Sequence, residues 1–237
     1  MGKPDNLHKV IVALDTPELA LAERVMDALG GRPAYYKVGL ELFSAAGPDA
    51  VHAVQERGYR VFLDLKLHDI PETVARAMRA IAYMRVDLVT VHAGGGESML
   101  QAAAAVAQEF VETSGYAPRV LGVTILTSLD RTDLDAIAIA PGRSVNDVVV
   151  DLGRMAVSAG CGGLIAAGSD AQALRMAIGP DAKIITPGVR PSWAAAQDQK
   201  RIVTPVAALA AGADYVVVGR AVTAASDPVD AFERLME

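Results

Sequence analysis

Within Asp64-Leu65-Lys66-Leu67-His68-Asp69-Ile70-Pro71 three charged groups fall inside six residues, directly after Arg60-Val61-Phe62-Leu63, which reads as a buried strand. Asp64 and Lys66 are two apart, so on a strand both point to the same side. Asp69 follows just past the strand end. A lysine held between two carboxylates is costly to assemble unless it has a chemical task. Two bare carboxylates ~4 Å apart would repel by about 4 kcal/mol at an effective dielectric of ~20. One would then take up a proton unless cations intervene. Interleaved lysines keep both acids ionised and Lys66 protonated. A protonated lysine is a general acid rather than a nucleophile, able to deliver a proton to a carbanion forming on a substrate.

Such charges need elements that bring them together. Short β-branched runs at 10–14, 35–38, 61–65, 88–92, 120–126, 163–166, 183–186 and 215–218 are separated by amphipathic, alanine-rich stretches. These stretches, at 17–28, 49–56, 72–83, 99–112, 145–158, 171–178, 206–211 and 227–235, predict helices. Pro17, Pro71 and Pro228 sit near helix starts, where a missing N–H costs little. Eight strands alternating with eight helices, most strands apolar on both faces, predict parallel pairing with helices outside. A closed (β/α)8 TIM barrel is the simplest architecture with that count. An open doubly wound sheet is the alternative. It predicts a Gly-rich fingerprint after the first strand, where Leu14-Asp15-Thr16-Pro17 stands instead.

No boundary divides the chain: residues 1–8 read as a tail and 9–237 as one catalytic barrel domain. Two connections are longer than the rest. Residues 127–143 predict a short extra helix around 132–140. Residues 187–204, Gly/Pro-punctuated at their start, read as a lid over the mouth or as a mobile surface loop.

In a barrel the C-terminal strand ends converge on one mouth. The polar residues at those ends are Asp15, Lys37, Asp64, Lys66, Asp69, His92, Thr127, Arg190 and Arg220. Neighbouring second and third strands bring Lys37 near Asp64, so the expected array alternates as Lys37, Asp64, Lys66, Asp69. The competing reading is a buried ion network that only fixes strand register, although such networks stabilise weakly. Asp15 alone also suits a helix cap. Across the mouth, Gly188-Val189-Arg190 and Gly219-Arg220 follow the last two strands, where barrels often bind phosphate. Arg220 adds a fixed fork of donors for phosphate oxygens. Gly94-Gly95-Gly96 is as consistent with a flexible turn as with an anion cradle. His92 reads as a base or as a hydrogen-bonded structural residue. His68 is expected to point away from Lys66, and His8 and His52 to face solvent. No histidine has a convincing nucleophile partner, so a Ser-His-Asp arrangement is unsupported.

Composition sets outer limits. A chain of 237 residues, 52% hydrophobic and 21% charged, can bury one large core. Aromatics at 5% leave Ala, Val, Leu and Ile to fill it. The formal net charge of −6 argues against a nucleic-acid partner, so a basic site here is a local pocket for a small anion. The lone cysteine, Cys161, cannot form an internal disulfide and reads as a small core residue. Nothing has metal-ligand spacing. Met1 to Lys9 lacks the apolar core of a signal peptide, and no apolar run approaches the ~20 residues that span a bilayer. A cytoplasmic protein with no membrane partner is expected by elimination.

The ordered set of these segments resembles the orotidine 5′-monophosphate decarboxylases of bacterial type, over nearly the whole chain. The resemblance runs through Ile11-Val12-Ala13-Leu14-Asp15, Tyr36-Lys37-Val38-Gly39, Asp64 to Pro71, Val91-His92-Ala93, Val123-Thr124-Ile125-Leu126-Thr127-Ser128, Thr186-Pro187-Gly188-Val189-Arg190 and Val218-Gly219-Arg220. It implies cofactor-free conversion of orotidine monophosphate to uridine monophosphate and CO₂. By that resemblance Lys66 is the proton donor to C6, beside Asp64. Lys37 orders the network and contacts the ribose, Asp15 contacts the nucleoside, and Thr127 sits by the pyrimidine. Arg190, Gln199, Gly219 and Arg220 are expected to bind phosphate, with Gln199 on the lid. Asp69, Ile70 and Thr73 are expected to enter the neighbouring subunit's site, which implies a homodimer. The Asp-x-Lys-x-x-Asp element alone is shared with other barrels. The alternatives are therefore a metal-dependent sugar-phosphate decarboxylase or aldolase, which Lys37 argues against, and a non-catalytic nucleotide-binding barrel.

Overall fold

The computed structural model describes residues 6–194 and 203–237. Each β-branched run becomes a short strand: β1 Val10–Ala13, β2 Tyr35–Gly39, β3 Val61–Leu67, β4 Leu88–His92, β5 Arg119–Val123, β6 Gly163–Ile165, β7 Lys183–Thr186 and β8 Tyr215–Val218. They are parallel and follow chain order round a closed barrel. Closure is made by β1 and β8, with Val10, Ile11 and Val12 in register with Val216, Val217 and Val218. That pairing excludes the open doubly wound sheet.

Side-chain alternation divides the strand residues between two cores. Ile11, Ala13, Tyr35, Phe62, Leu88 and Val217 belong to the cluster inside the barrel. Val10, Val12, Tyr36, Val61, Leu63 and Val89 pack outward against the helices. Burial on both faces is why these strands read as continuous apolar runs rather than alternating ones.

The helix Pro71–Tyr83 shows how the outer layer is built. Pro71 occupies its first turn, and Val74, Ala75, Met78, Ile81 and Ala82 form one buried stripe at helical spacing. Because this helix packs firmly and begins directly after residues 68–70, it fixes where the chain leaves β3.

Some local expectations change. Short helices at Leu40–Ala46 and Arg220–Thr223 occupy stretches that the sequence predicts only as connections. Elements this short carry little periodicity. The extra helix expected around 132–140 forms at Arg131–Ala136, opened by a capping box between Asp130 and Asp133. It stops before Ala138 and Ala140, which take positive φ. The fifth strand ends at Val123, and Ile125 and Thr127 line the mouth instead. Leu7–Lys9 forms a 3-10 turn leading into β1. No helix among the described residues is long and apolar enough to cross a membrane.

Candidate active site

Strand parity aims the charges. Tyr35, Phe62 and Leu88 face the barrel interior. Two residues further along the same strands stand Lys37, Asp64 and Thr90, all buried. The polar residues are thus the uppermost interior layer, resting on an apolar one.

Lys37 Nζ donates to Asp15 Oδ1 at 2.9 Å and lies 3.5 Å from Asp64 Oδ2. Lys66 Nζ donates to both Asp64 oxygens, at 3.0 Å each. The charges alternate as Asp15, Lys37, Asp64, Lys66. Burial is the largest influence on Lys37 and opposes its charge, but Asp64 and Asp15 outweigh it and hold the amine above the ordinary lysine range. Burial likewise opposes ionisation of Asp64. Lys37 and Lys66 outweigh it, with help from the Thr90 hydroxyl, and the carboxyl stays below the usual carboxylate range. Asp15 does not cap a helix: the helix Leu19–Leu29 follows Glu18 and has no side-chain cap.

Between Asp64 and Lys66 the strand is not regular. β3 and β4 are in register at Leu63↔Val89 and again at Leu67↔Val91, so residues 64–66 of β3 stand opposite Thr90 alone. Lys66 has φ +51°, a left-handed conformation that costs roughly 1–2 kcal/mol for a residue bearing a Cβ. Its N–H donates to Thr90 Oγ1 at 2.8 Å, and the Thr90 hydroxyl donates to Asp64 Oδ1 at 3.0 Å. Gly39, in register with Asp64, lies against this network. A Cβ there would sit 2.7 Å from Lys37 Nζ and 3.0 Å from Asp15 Oδ1.

These groups form one pole of a cavity of about 320 Å³ at the strand C-termini. Phe62, Val123, Ile165 and Val217 supply apolar wall, and Thr127 lies on the rim with the loop after β5. Arg190, Gly219 and Arg220 bring cationic and backbone donors to the same cavity. The Arg190 N–H donates to the Val203 carbonyl at 2.9 Å, joining the two described ends of the 187–204 loop. Gln199, the expected lid residue, lies outside the described residues. The cavity is of a size to hold a small organic molecule, with opposite chemical demands at its ends.

Asp69, expected just past the end of β3, stands apart from the other three charges of the expected array. It does not line the cavity of its own chain. β3 ends at Leu67, and the Asp69 carboxylate accepts its neighbour's N–H, from Ile70, at 2.7 Å. The fourth charge of the array is Asp15. Asp69, Ile70 and Thr73 are exposed, Ile70 to 66%.

The histidines behave structurally. His92 Nδ1 accepts the Gly94 N–H at 3.1 Å, and the ring stacks on His68 at 5.0 Å. Burial, with His68 and Lys66 adding to it, holds His92 below the usual histidine range. His8 and His52 are exposed. Cys161 is buried, which pushes its thiol up to about 12. Among the described residues no group of three or more His, Cys, Asp or Glu could hold a metal ion. The place between Asp15 and Asp64 is taken by the Lys37 ammonium.

Sequence reasoning missed Thr90, Gly39 and Phe62. Thr90 had a signal, as the one hydroxyl inside the apolar run Leu88-Val89-Thr90-Val91. Gly39 had none, since its role is to leave space.

The family model described as "Orotidine 5'-phosphate decarboxylase / HUMPS family" matches residues 8–235. A relative from Moorella thermoacetica named orotidine 5'-phosphate decarboxylase is 50% identical over 224 residues, covering 94% of this chain and 88% of that protein. One of the same name from Trichlorobacter lovleyi is 45% identical over 238 residues, covering 100% and 97%. The crystal structure of orotidine 5'-phosphate decarboxylase from Lactobacillus acidophilus superposes with a TM-score of 0.82 at 35% identity, covering 95% of this chain and 96% of that one.

Proposed function

The chain belongs to the orotidine 5'-phosphate decarboxylase / HUMPS family, and we propose roles for its residues from the chemistry their cavity can support. The protein is a decarboxylase of pyrimidine biosynthesis that converts orotidine 5′-monophosphate to uridine 5′-monophosphate and CO₂. When the bond from C6 to the carboxylate breaks, its electron pair stays on a ring carbon. Preorganised charge in a water-poor cavity can stabilise that pair without a cofactor.

One observation carries the assignment. An ammonium, Lys66 Nζ, is fastened to both oxygens of a buried carboxylate on the cavity wall. Lys66 supplies the counter-charge to the carbanion and then its proton, forming the C6–H bond. The neutral amine left behind is reprotonated from solvent. Asp64 and Lys37 hold it in place, so little reorganisation is needed as charge develops.

The remaining assignments follow the polarity of the cavity. Asp15 and Lys37 meet the ribose hydroxyls, and Thr127 the pyrimidine edge. Arg190, Gly219 and Arg220 bind phosphate, with Gln199 closing over it. Binding energy from the phosphate, remote from C6, supports the chemical step through loop closure. We assign Asp69, Ile70 and Thr73 to the partner site of a homodimer. Their exposure and the absence of Asp69 from its own cavity support this reading. We place the enzyme in the cytoplasm, acting on a free nucleotide rather than on nucleic acid or membrane.

The test is to incubate the purified protein with orotidine monophosphate and follow the loss of pyrimidine absorbance, with and without EDTA. Consumption insensitive to EDTA supports the reading. Tight uridine monophosphate binding without turnover would favour a binding protein, and loss of activity with EDTA a metal-dependent one.

A further inference from the structure

We propose that Thr90 is a positioning residue for Lys66, its single hydroxyl fixing both the backbone and the carboxylate partner of the catalytic ammonium. This rests on Lys66 being the proton donor.

The argument begins with the ladder. In a regular parallel ladder alternate N–H groups of β3 would be met by carbonyls of β4, the others by β2. Between Leu63↔Val89 and Leu67↔Val91, β3 has three residues where β4 has one, so backbone pairing lapses. The Lys66 N–H would be left without a ladder acceptor in the half-buried end of β3. Thr90 Oγ1 supplies one at 2.8 Å. The hydroxyl proton is thereby left to point elsewhere, and it goes to Asp64 Oδ1 at 3.0 Å. That oxygen also accepts Lys66 Nζ at 3.0 Å.

Thr90 therefore closes a short loop of contacts, from the root of the Lys66 side chain, through a hydroxyl and a carboxylate, to its tip. Thr90 is 0% exposed within the apolar run Leu88-Val89-Thr90-Val91 of β4. A valine has the same shape, and a hydroxyl buried there is unfavourable unless both its donor and acceptor roles are filled. Both are filled by the catalytic pair. The left-handed φ of Lys66 gives the anchor its task, since a conformation that side chains rarely adopt must be held by its surroundings. Released, the strand can relax and carry the ammonium away from C6, and displacements of about 1 Å at such a site cost on the order of 10²-fold in rate.

The experiment compares Thr90→Val, Thr90→Ser and Thr90→Ala with the natural protein. It reads kcat, KM, the pH profile of kcat, uridine monophosphate affinity and circular dichroism. The expected result is a kcat lowered about 10²-fold in Thr90→Val, with uridine monophosphate affinity nearly unchanged because the phosphate and ribose contacts remain. The acid limb of the profile moves to higher pH, since Asp64 has lost a donor to its charged form. Thr90→Ser, which keeps the hydroxyl, recovers most of kcat. A Thr90→Val enzyme with natural kcat overturns the proposal, as does equal impairment of the Ser and Val variants. If Thr90→Val does not fold, the Ser and Ala variants decide: an active Ser beside a folded, slow Ala supports the anchor, and equal activities overturn it. The outcome is separable from the role of Lys66. Full activity in Lys66→Ala would remove the proton donor itself, whereas an inactive Lys66→Ala beside a fully active Thr90→Val removes only the anchor.

Discussion

Lys66 Nζ and the Asp64 carboxylate meet two-pronged, with both oxygens 3.0 Å from the nitrogen. This contact spans an irregular stretch of strand, and Lys66 pays for it with a left-handed backbone. A purely structural ion pair would gain nothing from that strain, because a regular strand already places i and i+2 on one face. The irregularity sets where the ammonium stands on the cavity wall.

Space beside the network is the first testable consequence. Gly39→Ala would place a Cβ 2.7 Å from Lys37 Nζ. The Gly39 backbone, at φ −98°, accepts alanine without strain. The expected result is a kcat/KM lowered about 10²-fold by displacement of Lys37, in a protein whose circular dichroism remains that of the natural fold. Unchanged kinetics would show that the network tolerates movement of Lys37.

At the other pole, Arg220→Ala removes a fork of charged donors. A hydrogen bond to a charged group contributes about 1.5–3 kcal/mol, so KM should rise about 10- to 100-fold, with a smaller effect on kcat. Inorganic phosphate, as a competitive inhibitor, should weaken in parallel. An unchanged KM would remove Arg220 from the phosphate site.

The shifted groups set a stability window. Asp64 is held below the usual carboxylate range, so its contribution is present above the unfolded value of ~3.9 and is lost as pH falls through the lower folded value. Lys37 is held above the lysine range, so its contribution is full below ~10.4 and is lost as pH rises through the folded value. The melting temperature of Asp64→Asn should therefore fall below the natural one at neutral pH, and the gap should narrow in acid. A gap independent of pH would contradict the ion-pair account.

Sharing of sites between subunits can be tested by mixing. Lys66→Ala and Asp69→Ala homodimers should each be nearly inactive. After exchange of subunits, half the dimers carry one intact site, so activity should return to about a quarter of the natural value. No recovery in a mixture shown to contain heterodimers would place Asp69 in its own chain's site.

Much of this was legible before the fold was known, for physical reasons that differ between residues. Lys37, Asp64 and Lys66 stand out because charge inside a barrel strand is expensive, and register then makes them neighbours. Arg190 and Arg220 were read from where they follow the last strands. Asp69 was placed just past the strand end, as β3 ending at Leu67 has it, but its place in the charge array followed from sequence order alone, which does not say which cavity a loop residue faces. Thr90 left a trace as a lone hydroxyl in an apolar run, but the irregular pairing opposite it was invisible to a two-residue alternation, which assumes a regular ladder. Gly39 acts by having no side chain, and no pattern of side chains announces that.

The most direct measurement is the turnover of orotidine monophosphate by Lys66→Ala, with circular dichroism and uridine monophosphate binding recorded on the same sample. A folded protein that binds the nucleotide but turns over at least ~10²-fold more slowly is the predicted result. A folded Lys66→Ala enzyme with kcat within a few-fold of the natural one would contradict the assignment of Lys66 as the proton donor.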